Sequence, residues 1–189
     1  MEENRRVKLT KKLIQDAFLE LLEKRPLSKI NVTEICRLAD VNRCTFYAYY
    51  NDVSDLLHEI ENDVLSQIPV SKQLPAMTTD NKEFLRLLEK LFSYVKQNER
   101  LFKALIIKTD SNAFTRKLVE TILRSYPKDT AGKSEVILNY GYIYAIYGAI
   151  GVLMEWILTG FPVSEKVFAR IVLEMSIRAN DITDKQLGL

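Results

Sequence analysis

Apolar residues recur at helical spacing along almost the whole chain. Leu13, Ile14, Ala17, Phe18, Leu21 and Leu22 line one face of a first helix, with Thr10 as its cap and Pro26 just past its end. At Asn31 to Glu34 an N-cap side chain is followed three residues later by a carboxylate, a variant of the capping box. The short helix this starts carries Ile35, Leu38 and Ala39. Asp40 then stands where a tight turn needs a backbone that tolerates positive φ. A second short helix opens at Val41–Asn42 and runs to Tyr50, with Phe46 and Tyr50 inward. The next helix carries Val53, Leu56, Leu57, Ile60, Val64 and Ile68, and Pro69 ends it.

Residues 69–80 hold two prolines and no periodicity, which predicts an irregular bridge and two domains, 1–68 and 69–189. Past it, stripes recur over Phe84–Val95, Leu101–Ile106 and Phe114–Tyr126. A segment from Val136 to Leu158 is apolar nearly all round, and Thr159-Gly160-Phe161-Pro162 stops it with a C-terminal Gly and a following Pro. Ser164 caps a last helix with Val167, Phe168, Ile171, Val172 and Met175 inward. With no strand pattern and no internal repeat, the expectation is an all-α protein of about nine helices.

The apolar segment has no charge over residues 136–154, which meets the length of a membrane span, ~20 residues. Asn139, Glu155 and the tyrosines crowded into its first half favour a helix buried in a core or a dimer interface instead, with no membrane partner. Ala145, Gly148, Ala149 and Gly151 would let a second helix approach closely, and Ile171 and Met175 of the last helix join them in a dimer contact expected within residues 134–180. Tyr140, Tyr144 and Tyr147 share one helical face. With Trp156 they fit either an apolar effector pocket or plain core packing.

Composition narrows the chemistry. At 189 residues, 47% apolar and 28% charged, the chain has the balance of an ordinary soluble protein. One His and two Cys do not make a structural zinc set or a disulfide framework, and they suit a reducing compartment. There is no phosphate-binding Gly-rich loop and no nucleophile elbow. The expectation is therefore a binding protein: not an enzyme, without cofactor or metal. The chain opens with no apolar run, so a cytoplasmic location is expected.

The net charge of +2 is unevenly spread. Residues 1–50 hold ten basic and seven acidic side chains, whereas 51–68 hold five acidic and no basic ones. A basic arm of Arg5, Arg6, Lys8, Lys11 and Lys12 precedes the first apolar stripe, and Lys11 and Lys12 are candidate phosphate contacts.

Two short helices joined by a three-residue turn, over Asn31 to Tyr50, have the layout of a helix-turn-helix. Cys36 and Ala39 supply small side chains at the crossing, Asp40 the turn and Val41 an apolar wedge. The outward, N-terminal half of the second helix holds Arg43, Cys44, Thr45, Tyr47 and Tyr49. Arg suits a bidentate bond to guanine, and hydroxyls suit phosphate.

The runs Thr10 to Phe18, Ile30 to Tyr50 and Asp55 to Leu57 resemble the DNA-binding domain of the TetR transcriptional regulators. Tyr147 to Gly151 and Glu155 to Gly160 resemble, more loosely, that family's ligand-binding and dimerisation domain. The resemblance implies a homodimer that places two recognition helices in major grooves of double-stranded operator DNA. It also implies a repressor, released when a small-molecule effector changes the spacing of those helices. Carried over by position, Arg43 and Cys44 fall at the base-reading start of the recognition helix. Thr45, Tyr47 and Tyr49 fall at phosphate and base contacts, and Thr33 faces the DNA backbone from the preceding helix. Asp40 replaces the usual turn Gly, and Val53 stands where many members have a phosphate-binding Lys, a loss that should weaken affinity and flatten its salt dependence. Val53 and the acidic 51–68 segment motivate a second reading: a protein-binding co-regulator with the same fold and little DNA affinity.

Overall fold

The computed structural model describes residues 2–68, 82–108, 113–125 and 135–179, without the side chains of 2–4, 107–108 and 135–139. The bridge expected at 69–80 and the Asn139 side chain lie outside the described residues. Among those described, the chain forms nine α-helices, a 3-10 turn and a π-helical stretch, and no strand.

The chain divides into two compact units. One comprises Met1–Gln67 with Arg100–Asn112, the other Ile68–Glu99 with Ala113–Leu189. The first contains α1 (Glu2–Lys24), the 3-10 turn Leu27–Lys29, α2 (Val32–Ala39), α3 (Arg43–Tyr47) and α4 (Val53–Gln67). α6 (Glu99–Phe102) follows α5 (Lys82–Gln97), and it leads into the π-helical stretch Lys103–Lys108, which packs on α1.

α1 begins well before the expected cap. Thr10 sits inside the helix, its Oγ1 donating to the Arg6 carbonyl at 3.0 Å, one turn back. Nothing in Glu2 to Leu9 breaks a helix, so the helix extends through polar residues that carry no apolar stripe to announce it. Ile14, Ala17, Phe18, Leu21 and Leu22 are buried as the stripe requires, while Leu13 at its edge is 44% exposed. Leu38 of α2 is likewise on the outside.

α2 packs on α1, and α3 on α2. Asp40 takes the left-handed conformation at φ 53° and ψ 45°, closing α2 as the sequence requires. The backbone N–H of Val41 donates to the Cys36 carbonyl at 3.0 Å, satisfying one of the carbonyls the helix end leaves open.

The second unit holds α5, α7 (Ala113–Leu123), α8 (Glu135–Leu158) and α9 (Glu165–Ala179); α9 packs on α5 and α8, and α7 on α8. α8 ends in a Schellman turn. The Phe161 N–H donates to the Trp156 carbonyl at 2.8 Å and the Gly160 N–H to that of Ile157 at 3.3 Å. Gly160 at φ 75° and Phe161 at φ 59° both lie in the left-handed region. The Phe161 ring meets Trp156 edge-on at 4.7 Å, the hydrophobic contact that accompanies such a turn. Trp156 stacks on Phe168 at 4.3 Å and donates from Nε1 to the Val163 carbonyl at 3.0 Å, so the indole ties α8, the turn and α9 together.

α9 corrects one expectation. Phe168, Ala169, Val172 and Leu173 are buried, but Val167, Ile171 and Met175 are exposed, at 49, 36 and 57%. The helix has apolar residues on more than one face, and periodicity cannot say which face the protomer covers.

Candidate nucleic-acid interface

The cap built from Asn31 starts the motif. Its Oδ1 accepts from the Glu34 N–H at 3.1 Å, and its Nδ2 donates to the Glu34 carboxylate at 2.6 Å. Glu34 also pairs with Arg25 at 2.9 Å, which ties the start of α2 to the residue just past α1. Asn42 caps α3 in turn: its Oδ1 accepts from the Thr45 N–H at 2.7 Å and from the Thr45 hydroxyl at 2.9 Å.

Two aromatic side chains fix the roll of α3. Phe46 is fully buried and Tyr50, just beyond the helix, is 2% exposed; their rings lie 5.5 Å apart. Side chains at the other angular positions therefore point out. Arg43 and Cys44 are exposed, and Tyr47 is 56% exposed, braced edge-on against Phe46 at 5.6 Å. Thr33 is exposed in the first turn of α2, and Lys12 on α1. Thr45 is half-buried with its hydroxyl engaged in the cap, and Tyr49 is half-buried. Burial pushes the Cys36 thiol up, with the Arg43 charge opposing, so Cys36 is a protonated packing residue of the helix crossing.

Lys11 is placed differently from Lys12. Its ammonium lies 2.7 Å from the Glu59 carboxylate of α4, and 5.8 and 5.4 Å from the ring centroids of Tyr49 and Tyr50. The Tyr50 hydroxyl donates to the same carboxylate at 2.9 Å, and burial together with that acceptor holds the phenol far above its ordinary range. Gln15 completes the cluster at 3.5 Å. Sequence reading missed Glu59 because its partner Lys11 lies 48 residues away, and no local pattern marks such a pair.

Acidic residues at the start of α4 serve as caps. Asp52 accepts from the Asp55 N–H at 2.8 Å, and Asp55 accepts from the backbone and side chain of Asn51, each at 2.9 Å. Val53, at the position where the resemblance implies a Lys, is half-buried.

The four effector-pocket candidates are not brought together. Tyr140, Tyr144 and Tyr147 are 69, 71 and 49% exposed on α8, whereas Trp156 is 3% exposed inside the second unit. The dimer candidates lie on or beside that outer face. Gly148, Gly151, Ile171 and Met175 are exposed, Ala149 is half-buried, and Ala145 is buried beneath them. Tyr144, Ala145, Gly148, Ala149 and Met175 line part of an open groove of about 470 Å³ between α8 and α9. Among the described residues, no three His, Cys, Asp or Glu side chains are grouped as a metal site.

A family model described as a transcriptional regulator C-terminal region, of the TetR type, matches residues 82–178. Among solved structures, a TetR transcriptional regulator from Streptococcus agalactiae 2603V is similar, with 22% identity and a TM-score of 0.67 over 93% of this chain and 98% of that one. The dihydroxyacetone kinase operon activator DhaS is similar at 18% identity and a TM-score of 0.56, over 92% of this chain and 97% of that one. Both likenesses are of fold. No curated protein matches the chain.

Proposed function

Because the chain belongs to the TetR family of transcriptional regulators, we propose that it is a cytoplasmic, dimeric regulator that reads operator DNA with α3 and is released by a small molecule. The observation that carries the DNA reading is the outward set Arg43, Cys44 and Tyr47 on a helix whose roll is set by buried Phe46 and Tyr50. In this reading Arg43 and Cys44 face base edges, Tyr47 and Tyr49 a phosphate or base, and Thr33 and Lys12 the DNA backbone. Thr45 serves first as the partner of Asn42, so its hydroxyl must leave the cap or share it to reach DNA.

We take the regulation to be repression by occlusion. The operator is sought by enriching genomic fragments on the purified protein and confirming retardation of the enriched duplex at physiological salt. Retardation of one sequence over a scrambled one supports the reading. No retardation of any fragment returns the chain to the protein-binding co-regulator. A target promoter that falls silent when the chain is deleted would make it an activator, the role named for DhaS.

The dimer rests on the outer face of α8 and α9. Tyr140–Leu158 is long and apolar enough to cross a membrane, yet only 33% of it is buried in the protomer, so the rest needs a cover. Lys166, Arg170, Glu174 and Arg178 stand beside Ile171 and Met175 on α9, a mixed-charge border that suits a protein partner better than lipid. A Cβ added at Gly148 or Gly151 meets nothing within 4 Å. The protomer therefore has no use for these glycines, which cost a helix interior about 1 kcal/mol each relative to Ala. A second copy of α8 passing close by does. Gly148→Leu should keep helical content by circular dichroism while shifting the light-scattering mass at micromolar concentration from dimer to monomer; a Gly148→Leu protein that stays dimeric would move the interface elsewhere.

A further inference from the structure

We infer that Glu59 is a positioning residue for DNA binding: its carboxylate occupies the place of a DNA phosphate and keeps the Lys11 ammonium off the duplex. The inference rests on the DNA-binding reading above and adds to it a residue outside the recognition motif.

Three elements meet at this carboxylate. Lys11 from α1 pairs with Oε2 at 2.7 Å, while Oε1 accepts from the Tyr50 hydroxyl at 2.9 Å and from Gln15 at 3.5 Å. The Tyr50 bond aims the carboxylate, and Tyr50 is locked in turn by burial and by its contact with Phe46. The ammonium also lies 5.8 Å from the centre of the Tyr49 ring, so it sits at the edge of the proposed reading surface. A Lys head on a flexible four-carbon stem makes the same charge-assisted hydrogen bonds to a carboxylate as to a phosphate. Both side chains of the pair are 31% exposed, so the exchange needs only a rotamer change and no opening of the core. The fold holds the carboxylate beside the ammonium, whereas a phosphate must be recruited, so the pair competes with DNA for Lys11. Lys12, one residue on, points into solvent and remains available. Each subunit thus withholds one cation from DNA in addition to the one it lacks at Val53.

The test is a salt titration of binding to a duplex of arbitrary sequence, about 30 base pairs long, from low to physiological salt, which needs no known operator. Glu59→Gln keeps an oxygen for the Tyr50 hydroxyl and removes the charge. It should bind more tightly at every salt concentration and steepen the slope of log K against log salt by about 0.9 per subunit. Lys11→Met alone should leave the parent slope unchanged, and Lys11→Met with Glu59→Gln should return to it. An unchanged slope in a folded Glu59→Gln protein overturns the inference. So does a steepening that Lys11→Met fails to undo, because a purely structural role for Glu59 would not depend on Lys11. Should Glu59→Gln unfold, Lys11→Met decides alone: a flatter slope places Lys11 on phosphate in the parent and overturns the inference, and an unchanged slope supports it. A parent protein that binds no duplex even at low salt fails before any variant is compared, and that result sinks the DNA reading itself.

Discussion

Trp156→Ala should lower the unfolding free energy by about 3–5 kcal/mol, the usual cost of emptying a large aromatic site in a packed core. The side chain is 3% exposed and touches the rings of Phe92, Phe161 and Phe168 at 6.0, 4.7 and 4.3 Å. It also satisfies the Val163 carbonyl, so its loss leaves a cavity and frees the turn after α8. That turn carries two successive left-handed residues, Gly160 and Phe161, and the indole is the packing partner that holds Phe161 there. Trp156→Phe, which keeps ring packing but drops the N–H, should cost less than half as much. Chemical denaturation of the three proteins checks both numbers. A Trp156→Ala protein as stable as the parent, yet altered in its response to small molecules, would return this residue to the effector pocket.

Arg43→Ala should weaken binding to the enriched operator by about 1–3 kcal/mol, a factor of roughly 5 to 150, and relax preference at one base position. Arg43 is the first residue of α3, exposed, and held by a cap that leaves its guanidinium outward. Arg43→Lys keeps the charge but loses the planar fork, so it should recover non-specific binding without recovering the base preference. Binding measured on the operator and on single-base variants separates these effects. An equal loss on every sequence would make Arg43 a phosphate contact and shift base reading to its neighbours.

Much of the helix-turn-helix was legible in the sequence. Asn31, Asn42, Asp40, Phe46 and Tyr50 act through neighbours within a few residues, and such short-range rules of capping, turn geometry and helical period leave clear marks on a sequence. The outward positions of Arg43, Cys44 and Tyr47 follow from the same period once Phe46 points inward. Where local rules compete, the sequence alone does not decide between them. Thr10 has the chemistry of a cap, but the helix had already begun at Glu2. α9 offers apolar residues on two faces, and only packing against α5 and α8 decided that Phe168 and Val172 turn inward while Val167, Ile171 and Met175 do not.

The sequence by itself therefore determined the all-helical class, the helix-turn-helix with its caps and turn, and the outward placement of Arg43, Cys44 and Tyr47. These are set by interactions between residues one to four places apart. Thr45 and Tyr49, expected outward with Arg43, Cys44 and Tyr47, are half-buried, the first in the Asn42 cap and the second past the end of α3. Tertiary structure alone decided that Lys11 faces Glu59, that Trp156 is a core residue while Tyr140, Tyr144 and Tyr147 are on the surface, and that Gly148 and Gly151 lie open. Each of these depends on which element comes to lie against another, and that is fixed by the sum of many apolar contacts rather than by any local signal.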